Sequence, residues 1–378
     1  MSGAPLPGTE DHPHARMTLG AALASGASHA YLFHGPAGVG KSAVARAFAG
    51  ELLASGATDP DGVRTRVANG THPDLTWVRP TGAHVMRTED VDGPVVNAAT
   101  RTPFEASRRV FVLERVDTMN DEVANRLLKT LEEPAPYAHL ILLSDSLGRV
   151  LPTVVSRCQL IRFDGLPAAR IAAVLEADGV PATLASACAR LSLGNGERAR
   201  YLASEAGVAL RGDVDGLLAA ALTGRGRDVD DLEPWRNLLA RAEEHRSEAE
   251  GRVAEAREER LRGEPAGRER GALERQFEDA AKREARRSRT ELLDLGLRLA
   301  ALGFRDLTCI AEGVPEAALD PDRDVLGAVA RERDTRHLRL AVEHCEAARL
   351  ALERNVTEDL ALEALSHRLA GLLGTGTQ

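Results

Sequence analysis

The segment GPAGVGKS (residues 35–42) limits the fold of this 378-residue chain more than any other feature. It fits the pattern G-x-x-x-x-G-K-[ST], in which glycines let successive backbone N–H groups point at a phosphate. The apolar run HAYLFHG precedes it, and KSAVARAFAGELL follows with Val44, Phe48 and Leu52 on one helical face. A strand, a glycine-rich loop and a helix in this order predict a phosphate-binding loop.

This loop predicts a nucleotide site. Lys41 is expected to reach the β- and γ-phosphates, and the Ser42 hydroxyl can hold Mg²⁺. The positive end of the following helix dipole adds to the attraction. ATP or ADP, with Mg²⁺, is therefore the predicted ligand. The predicted nucleotide-binding residues of the loop are Gly35, Pro36, Ala37, Gly38, Val39, Gly40, Lys41 and Ser42.

Strand and helix patterns alternate over the first part of the chain. RVFVLERV, HLILLSD and CQLIRFD predict three further strands, and NDEVANRLLKTLEEP predicts a helix that Pro134 ends. Such alternation predicts βαβ units, and hence an α/β domain with a parallel sheet and flanking helices over residues 1–166. No strand pattern appears from Pro167 onward. We expect a small helical domain over 167–208 and an all-helical domain over 209–378, whose last two helices are predicted over 324–355 and 357–373.

Composition places the chain among soluble globular proteins, with 43% hydrophobic and 28% charged residues. The net charge of −9 argues against a generally basic, nucleic-acid-binding surface. The four cysteines are widely spaced, which predicts reduced thiols and no zinc or other metal site. No apolar run reaches 18 residues and the N-terminus lacks a signal-peptide pattern. A cytoplasmic protein without a membrane segment is expected.

Residues 243–289 are dominated by Glu, Arg and Ala around the turn RGEPAGRERG. A pair of solvated helices is the simpler interpretation of this charged insertion. The alternative is that KREARRSR, from Lys282 to Arg289, contacts nucleic-acid phosphates. The acids upstream would partly cancel the positive field of that segment.

Three short segments are family-specific: NRLLKTLEEP, SRC at Ser156–Cys158, and THPDL before the second predicted strand. Together they closely resemble bacterial clamp-loader subunits, the AAA+ proteins that place the sliding clamp on DNA for the replicative polymerase. The resemblance covers roughly residues 29–205. It implies a P-loop AAA+ domain, a helical lid over 167–208 and a helical collar, or oligomerisation, domain over 209–378.

The resemblance also implies roles for individual residues. Arg157 of SRC resembles the arginine finger that one subunit offers to the ATP of its neighbour. Arg198 resembles the sensor-2 arginine of the lid, with Arg200 as a rival for that place. Ser144 resembles the polar sensor-1 residue at the end of a strand.

The chain departs from the family pattern in three ways. In VFVLERVD the magnesium-side acid is Glu114, but Arg115 stands where a motor subunit keeps its water-orienting acid. Arginine cannot accept a hydrogen bond from water, and Asp117 could take that place only with a register shift. The family's four-cysteine zinc module has no counterpart here. The N-terminal segment that contacts the nucleotide in this family is not recognisable.

These departures distinguish between two kinds of relative. A γ/τ motor subunit would keep both acids, whereas a δ′-type stator supplies its finger to a neighbour and need not hydrolyse ATP. We therefore predict a δ′-type subunit, with weak or absent ATP hydrolysis of its own. Its predicted partners are γ/τ and δ in a hetero-pentamer, and through them the sliding clamp and primed DNA. A hydrolysing γ/τ-like or other AAA+ ATPase, with Asp117 as the acid, stays open.

Overall fold

The computed structural model describes residues 6–81, 85–225, 233–262, 268–320, 323–353 and 356–374. The chain divides into two compact units. The first comprises Met1–Arg170 and Gly194–Glu197, and the second comprises Ile171–Leu193 and Arg198–Gln378. Most of the small helical domain expected from the sequence thus falls in the second unit, together with the C-terminal helices. A further division of that unit into lid and collar stays a prediction.

The first unit is built on a five-stranded sheet with the order β2-β3-β4-β1-β5. All four strand pairings are parallel, which confirms the predicted α/β architecture with a parallel sheet and flanking helices. The strands are β1 (Ala30–His34), β2 (Leu75–Val78), β3 (Arg109–Leu113), β4 (Ala138–Ser144) and β5 (Gln159–Arg162). Strand β4 is buried along its whole length, as expected of a strand covered on both faces.

Helices cover both faces of this sheet. One apolar core joins the sheet to the helices nearest the glycine-rich loop through Leu19, Phe48 and Val67. The opposite core contains Val91, Leu127 and other aliphatic side chains. The helices of this unit are α1 (Pro13–Ser25), α2 (Lys41–Ala54), α3 (Pro60–Ala68), α4 (Thr88–Val91) with the π-helical turn Asp92–Asn97, α5 (Asp121–Glu132) and α6 (Pro152–Val155).

Strand β2 is a fifth strand that the sequence patterns do not predict. Its four residues, LTWV, are half-buried except for Val78, because the strand lies at the edge of the sheet. A short edge strand has neither a continuous apolar run nor a clear alternation, so the period-2 signal is weak. The four predicted strands are all present, and the helix of NDEVANRLLKTLEEP ends at Glu132, before Pro134.

The acid of THPDL holds the loop that leads into β3. Asp74 is fully buried, and its carboxylate accepts the backbone N–H groups of Phe104, Glu105 and Ala106 at 2.5, 2.9 and 2.9 Å. Burial by itself would raise the pKa of the Asp74 carboxyl, but these three N–H groups and nearby His72 lower that pKa below its ordinary value. The charged carboxylate is thus the form that the fold favours.

Replacing Asp74 with alanine should destabilise the protein by about 3 kcal/mol at pH 7, because three partly buried N–H groups lose their charged acceptor. A lowered pKa means that the stabilisation is present above the ordinary value of 3.8 and is lost as the pH falls through the lower folded-state pKa. Urea denaturation at pH 7 and near pH 3 should therefore show a smaller difference from wild type at the acidic pH.

Asp59→Ala is the matched control, because exposed Asp59 caps α3 through one N–H, that of Gly62, at 3.0 Å. Loss of a single helix cap costs about 1 kcal/mol. Equal losses for the Asp59 and Asp74 variants would contradict a special role for the three-amide contact.

Beyond Pro167 the described residues form helices and turns, as the sequence predicts. The helices are α7 (Ala168–Ala177), α8 (Ala182–Leu191), α9 (Gly196–Ala203), α10 (Glu205–Thr223), α11 (Glu233–Leu261), α12 (Arg268–Ala311), α13 (Asp324–Ala330), α14 (Thr335–Glu353) and α15 (Glu358–Leu373). The charged insertion lies on α11 and α12, with residues 263–267 of its turn outside the described residues.

One helix of the sequence interpretation is two helices in the structure. The run from Asp324 to Asn355 breaks between α13 and α14, and Asn355 itself lies outside the described residues. The side chain of Asp334 accepts the backbone N–H of Arg336 at 2.8 Å. A side chain bonded to a nearby amide competes with the helical hydrogen bond and favours a new helix start.

The second unit contains a buried ionic cluster. Asp306 is fully buried and accepts the backbone N–H groups of Leu319 and Asp320 at 2.9 and 3.1 Å. Buried Arg323 donates to Asp306 at 2.9 Å and to Asp215 at 3.0 Å. This cluster ties α10 and α12 to the segment that precedes α13.

Candidate functional site

The loop between β1 and α2 has a backbone that only glycine adopts readily. Gly35, Gly38 and Gly40 have φ values of 147°, 69° and 94°. A Cβ on Gly35 would lie 1.9 Å from the Phe163 carbonyl oxygen, and one on Gly38 would lie 2.1 Å from the Asn195 side chain. Positive φ thus favours glycine at all three positions, and close neighbours exclude a side chain at Gly35 and Gly38 but not at Gly40. Such a loop fits a phosphate group, which backbone N–H groups can surround.

Lys41 points back into this loop. Its side chain is 6% exposed, and Nζ donates to the carbonyl oxygens of Gly35 and Pro36 at 2.6 Å each. Nζ also forms an ion pair with Asp145 Oδ1 at 2.8 Å. Asp145 follows β4 directly and was not among the residues predicted from the sequence. Its only signal there is that it is an acid immediately after the predicted sensor residue.

Ser144, the predicted sensor-1 residue, is fully buried at the end of β4. Its Oγ accepts the backbone N–H of Ser146 at 3.1 Å, and its carbonyl oxygen accepts the N–H of Gly35 at 3.3 Å. Ser144 therefore adjoins the loop through its backbone, while the next residue supplies the charged side chain that contacts Lys41. The sensor role of Ser144 stays a prediction.

Glu114, the predicted magnesium-side acid, is directed toward the edge strand β2. Its Oε1 accepts the indole N–H of Trp77 at 2.6 Å and the Nε–H of Arg79 at 3.2 Å. The Arg46 guanidinium lies 4.2 Å from the centre of the Trp77 ring. Sequence reasoning missed these contacts, because Arg46 lies on a helix, Trp77 on the unpredicted strand and Arg79 directly after that strand. Arg115, which follows Glu114, has a left-handed backbone with φ 55°.

Asp117, unlike Glu114, contacts a residue that pairs with the loop lysine. It is 7% exposed, and its Oδ1 accepts the backbone N–H of Asp145 at 3.1 Å. Asp145 in turn pairs with Lys41. The structure therefore links Asp117 to the loop lysine through Asp145.

The rest of the loop is held from the N-terminal side. His12 is buried, its Nε2–H donates to the Val39 carbonyl oxygen at 2.8 Å, and its ring packs on Phe163 at 4.8 Å. Ser42 is exposed in the first turn of α2. His12 lies in the N-terminal segment in which the sequence shows no recognisable nucleotide-contacting pattern, so this contact is new information from the structure.

Arg157 lies between α6 and β5, where three groups orient it. Its guanidinium donates to the Thr153 carbonyl oxygen at 2.9 Å, to Ser156 Oγ at 3.3 Å and to the carboxylate of Glu132. The side chain is 33% exposed. Glu132 is the last residue of α5 and belongs to the LEEP segment. Two of the family-specific segments are thus joined by one ion pair, which sequence spacing could not reveal.

Arg157 and the glycine-rich loop lie at opposite edges of the sheet. Gly35 follows the carboxyl end of β1, whereas Arg157 precedes the amino end of β5. The two strands are parallel neighbours paired over four residues, which separates their ends by roughly 13 Å at about 3.3 Å per residue. Arg157 therefore lies near the end of β5 that is opposite to the loop of its own chain.

Arg198, the predicted sensor-2 residue, belongs to the second unit. Its Nη1 donates to the Ser192 carbonyl oxygen at 3.1 Å. Burial lowers the pKa of its guanidinium to about 10, and the charge of Arg298 acts in the same direction. Its rival Arg200 is exposed and lies 4.0 Å from Asp178. The sensor-2 role stays a prediction for either residue.

Two basic residues of the segment 282–289 have acidic partners. Arg287 pairs with Glu291 at 2.7 Å, and Arg289 pairs with both Glu243 and Glu358 at 2.6 Å. These ion pairs reduce the positive field available to a nucleic acid. Contact of this segment with DNA stays the minor alternative.

Over the described ranges, no group of three or more His, Cys, Asp or Glu side chains is arranged to hold a metal ion. Within the same ranges, no helix is both long and apolar enough to span a membrane.

Comparison with known proteins agrees with the geometry of the first unit. Residues 13–167 match the protein family described as "DNA polymerase III, delta subunit". The subunit delta′ of DNA polymerase III from Pseudomonas aeruginosa is 40% identical over 136 residues, which is 35% of this chain and 42% of that protein. Over these residues, less than half of the chain, the sequence is thus similar to DNA polymerase III delta-type subunits.

Other relatives match over similar lengths. The Bacillus subtilis subunit delta′ is 34% identical over 143 residues, 37% of this chain and 43% of that protein. The Bacillus subtilis subunit tau is 32% identical over 143 residues, 36% of this chain and 24% of that protein. The chain spans less than half the length of these curated relatives. A gamma subunit-related protein from Thermotoga maritima aligns over 93% of this chain and 98% of its own, at 16% identity and a TM-score of 0.43.

Proposed function

We propose that this chain is the δ′ subunit of a bacterial clamp loader and that it supplies Arg157 as an arginine finger to a neighbouring ATPase subunit. The observation that carries this proposal is the position of Arg157, which is oriented by Glu132 at the sheet edge opposite the loop of its own chain. A guanidinium in that position suits a nucleotide held by another subunit.

The chemistry of arginine fits this role. A guanidinium is always charged and forms two parallel hydrogen bonds to phosphate oxygens, which stabilises charge on a transferring phosphoryl group. Arginine fingers supplied in trans contribute about 10³–10⁵ in rate. Glu132 and the Thr153 carbonyl oxygen hold the side chain before the neighbour arrives, so less freedom is lost on contact.

The glycine-rich loop of the chain is proposed to bind ATP or ADP with little hydrolysis. A bound nucleotide would supply the phosphates that Lys41 neutralises, and Ser42 would hold Mg²⁺. Two observations favour weak turnover. Arg115 stands at the water-orienting position, and the Glu114 carboxylate is engaged by Trp77 and Arg79.

A second candidate function is an active ATPase that uses Asp117 as its acid. The hydrogen bond from the Asp145 N–H to Asp117 favours it, since it connects Asp117 to the Lys41 region. The purified chain distinguishes the two candidates. Robust steady-state hydrolysis that Asp117→Ala abolishes and Glu114→Ala retains would establish the active ATPase.

The proposed partners follow from the δ′ assignment. They are γ/τ and δ in a hetero-pentamer, held together by the collar at 209–378, with the lid at 167–208 reporting on nucleotide through Arg198. The sliding clamp and primed DNA are proposed to be contacted through the complex. The net charge of −9 is consistent with a chain that contacts DNA through its partners rather than directly.

Reconstitution tests the proposal. We expect the full-length chain alone to hydrolyse ATP near background, because its own site lacks a water-orienting acid. Added to γ/τ, δ, clamp and primed DNA, it should be needed for ATP-dependent clamp loading, measured by a labelled clamp on the DNA. Equal loading rates with and without the chain would overturn the proposal.

A further inference from the structure

The ammonium of Lys41 has three N–H donors, and three oxygen atoms contact it. Two are loop carbonyls, of Gly35 and Pro36, and the third is Asp145 Oδ1 at 2.8 Å. Each donor thus has an acceptor. A phosphate oxygen that takes up Lys41 has to replace or share one of these three contacts.

Of the three oxygen atoms that contact Lys41, only the one from Asp145 is charged. Asp145 follows β4, the strand beside β1. Strand β4 is the hydrogen-bonded neighbour of β1, so the residue after β4 lies beside the loop after β1, about 4.8 Å away between strands. Asp117 accepts the Asp145 N–H at 3.1 Å and fixes the backbone there. These two contacts keep the backbone of Asp145 near the loop, and its side chain, which is 40% exposed, reaches Lys41 through the ion pair.

We propose that Asp145 determines the nucleotide specificity of this loop by disfavouring the triphosphate relative to the diphosphate. The inference rests on the proposed binding of nucleotide at residues 35–42. In such loops the lysine contacts the β- and γ-phosphates. A carboxylate within ion-pair distance of the same ammonium therefore lies near the γ-phosphate and repels its added negative charge.

The inference complements the absence of a water-orienting acid at Arg115. The loop of this chain keeps its glycines and its lysine, yet an aspartate stands beside that lysine. A site with this arrangement holds ADP more tightly than ATP and so favours a stable, nucleotide-bound subunit. Asp145 acts on which nucleotide is retained, whereas Arg157 is proposed to act on the nucleotide of a neighbour.

Nucleotide titrations of the full chain test the inference, with ATP and ADP measured by calorimetry in Mg²⁺ and in EDTA. Asp145→Asn should raise the affinity for ATP relative to ADP by about tenfold, the order expected for removing one like charge close to a phosphate. Asp61→Asn is the matched control, because Asp61 is 94% exposed in the first turn of α3 and pairs with Arg64. It should leave the ratio unchanged.

A third variant separates failure of this inference from failure of the proposed site. Lys41→Ala should abolish binding of both nucleotides, and unchanged binding would remove the loop as the site. If Lys41→Ala abolishes binding but Asp145→Asn leaves the ATP-to-ADP ratio at the wild-type value, the specificity inference alone is wrong. It is also overturned if Asp145→Asn weakens ATP binding only in Mg²⁺, since Asp145 would then serve the metal ion. ADP affinity within about threefold of wild type verifies that the Asn variant is folded.

Discussion

Replacing Arg157 with alanine should lower ATP turnover at the neighbouring subunit's site by about 10³-fold or more, while this chain retains its own nucleotide. The reason is positional. Arg157 lies at the sheet edge opposite the Lys41 loop, so its removal should leave the proposed phosphate contacts of that loop intact. Single-turnover hydrolysis by the reconstituted complex measures the loss, and calorimetry on the isolated chain measures retained binding.

Two controls make this result specific to Arg157. Arg157→Lys keeps the charge but loses the two parallel hydrogen bonds, so an intermediate rate is expected. Arg162→Ala removes an arginine from the other end of β5, where it is 66% exposed and pairs with Asp164, and should have little effect. Wild-type hydrolysis by a complex that contains Arg157→Ala would remove the main functional proposal.

Truncating Arg323 to alanine should destabilise the second unit by about 3 kcal/mol, because the buried Asp306 carboxylate then keeps only the partly exposed Arg305, at 3.0 Å, as a counter-charge. Arg323 is buried and donates to Asp306 and Asp215, so water cannot readily replace it. Chemical denaturation followed by far-UV circular dichroism gives the free energy of unfolding. The loss should exceed that of any exposed ion pair.

The pH dependence of this variant has a defined sign. Burial raises the pKa of Asp306 above its ordinary value of 3.8, although two backbone N–H groups and Arg323 act in the opposite direction. Removing Arg323 raises that pKa further. The folded state then takes up a proton more readily than the unfolded state, so stability is regained as the pH falls from 7 toward 4. An identical loss at every pH would contradict the explanation by a poorly compensated carboxylate.

An exposed pair serves as the control for Arg323. Arg339 is 59% exposed and pairs with Glu312. Arg339→Ala should cost no more than about 1 kcal/mol, since solvent screens such pairs and both side chains are free to move. A comparable cost for the two arginine variants would mean that burial is not the source of the Arg323 effect.

Much of the first unit follows from local sequence patterns. The runs AYLFH and HLILLS are apolar enough to be strands buried on both faces, and Val123, Leu127 and Leu131 recur at the helical period. Strand β2 was not predicted, because LTWV is a short edge strand with only one buried residue and so gives a weak sequence signal. The break before α14 was not predicted either, because it depends on one hydrogen bond from Asp334 rather than on the apolar stripe.

The candidate site divides in the same way. The glycine-rich loop could be predicted from Gly35, Gly38 and Gly40 in the sequence. Positive φ is a property of the local backbone, and glycine is the residue that adopts it readily. The short SRC segment predicts a finger role for Arg157, and that role stays a prediction. The partner of Arg157, Glu132, 25 residues earlier in the chain, could not be paired with it from spacing.

The sequence pattern alone could not predict which acid at the carboxyl edge of the sheet lies beside Lys41. Alignment of VFVLERVD directs attention to Glu114, which follows β3. The strand order β2-β3-β4-β1-β5 sets β4, rather than β3, beside β1, so Asp145 reaches Lys41 and Glu114 turns to Trp77. A local motif specifies the conformation of its own loop, because backbone torsions are short-range. Which charge stands next to that loop depends on strand order, because non-neighbouring segments meet only when the sheet forms.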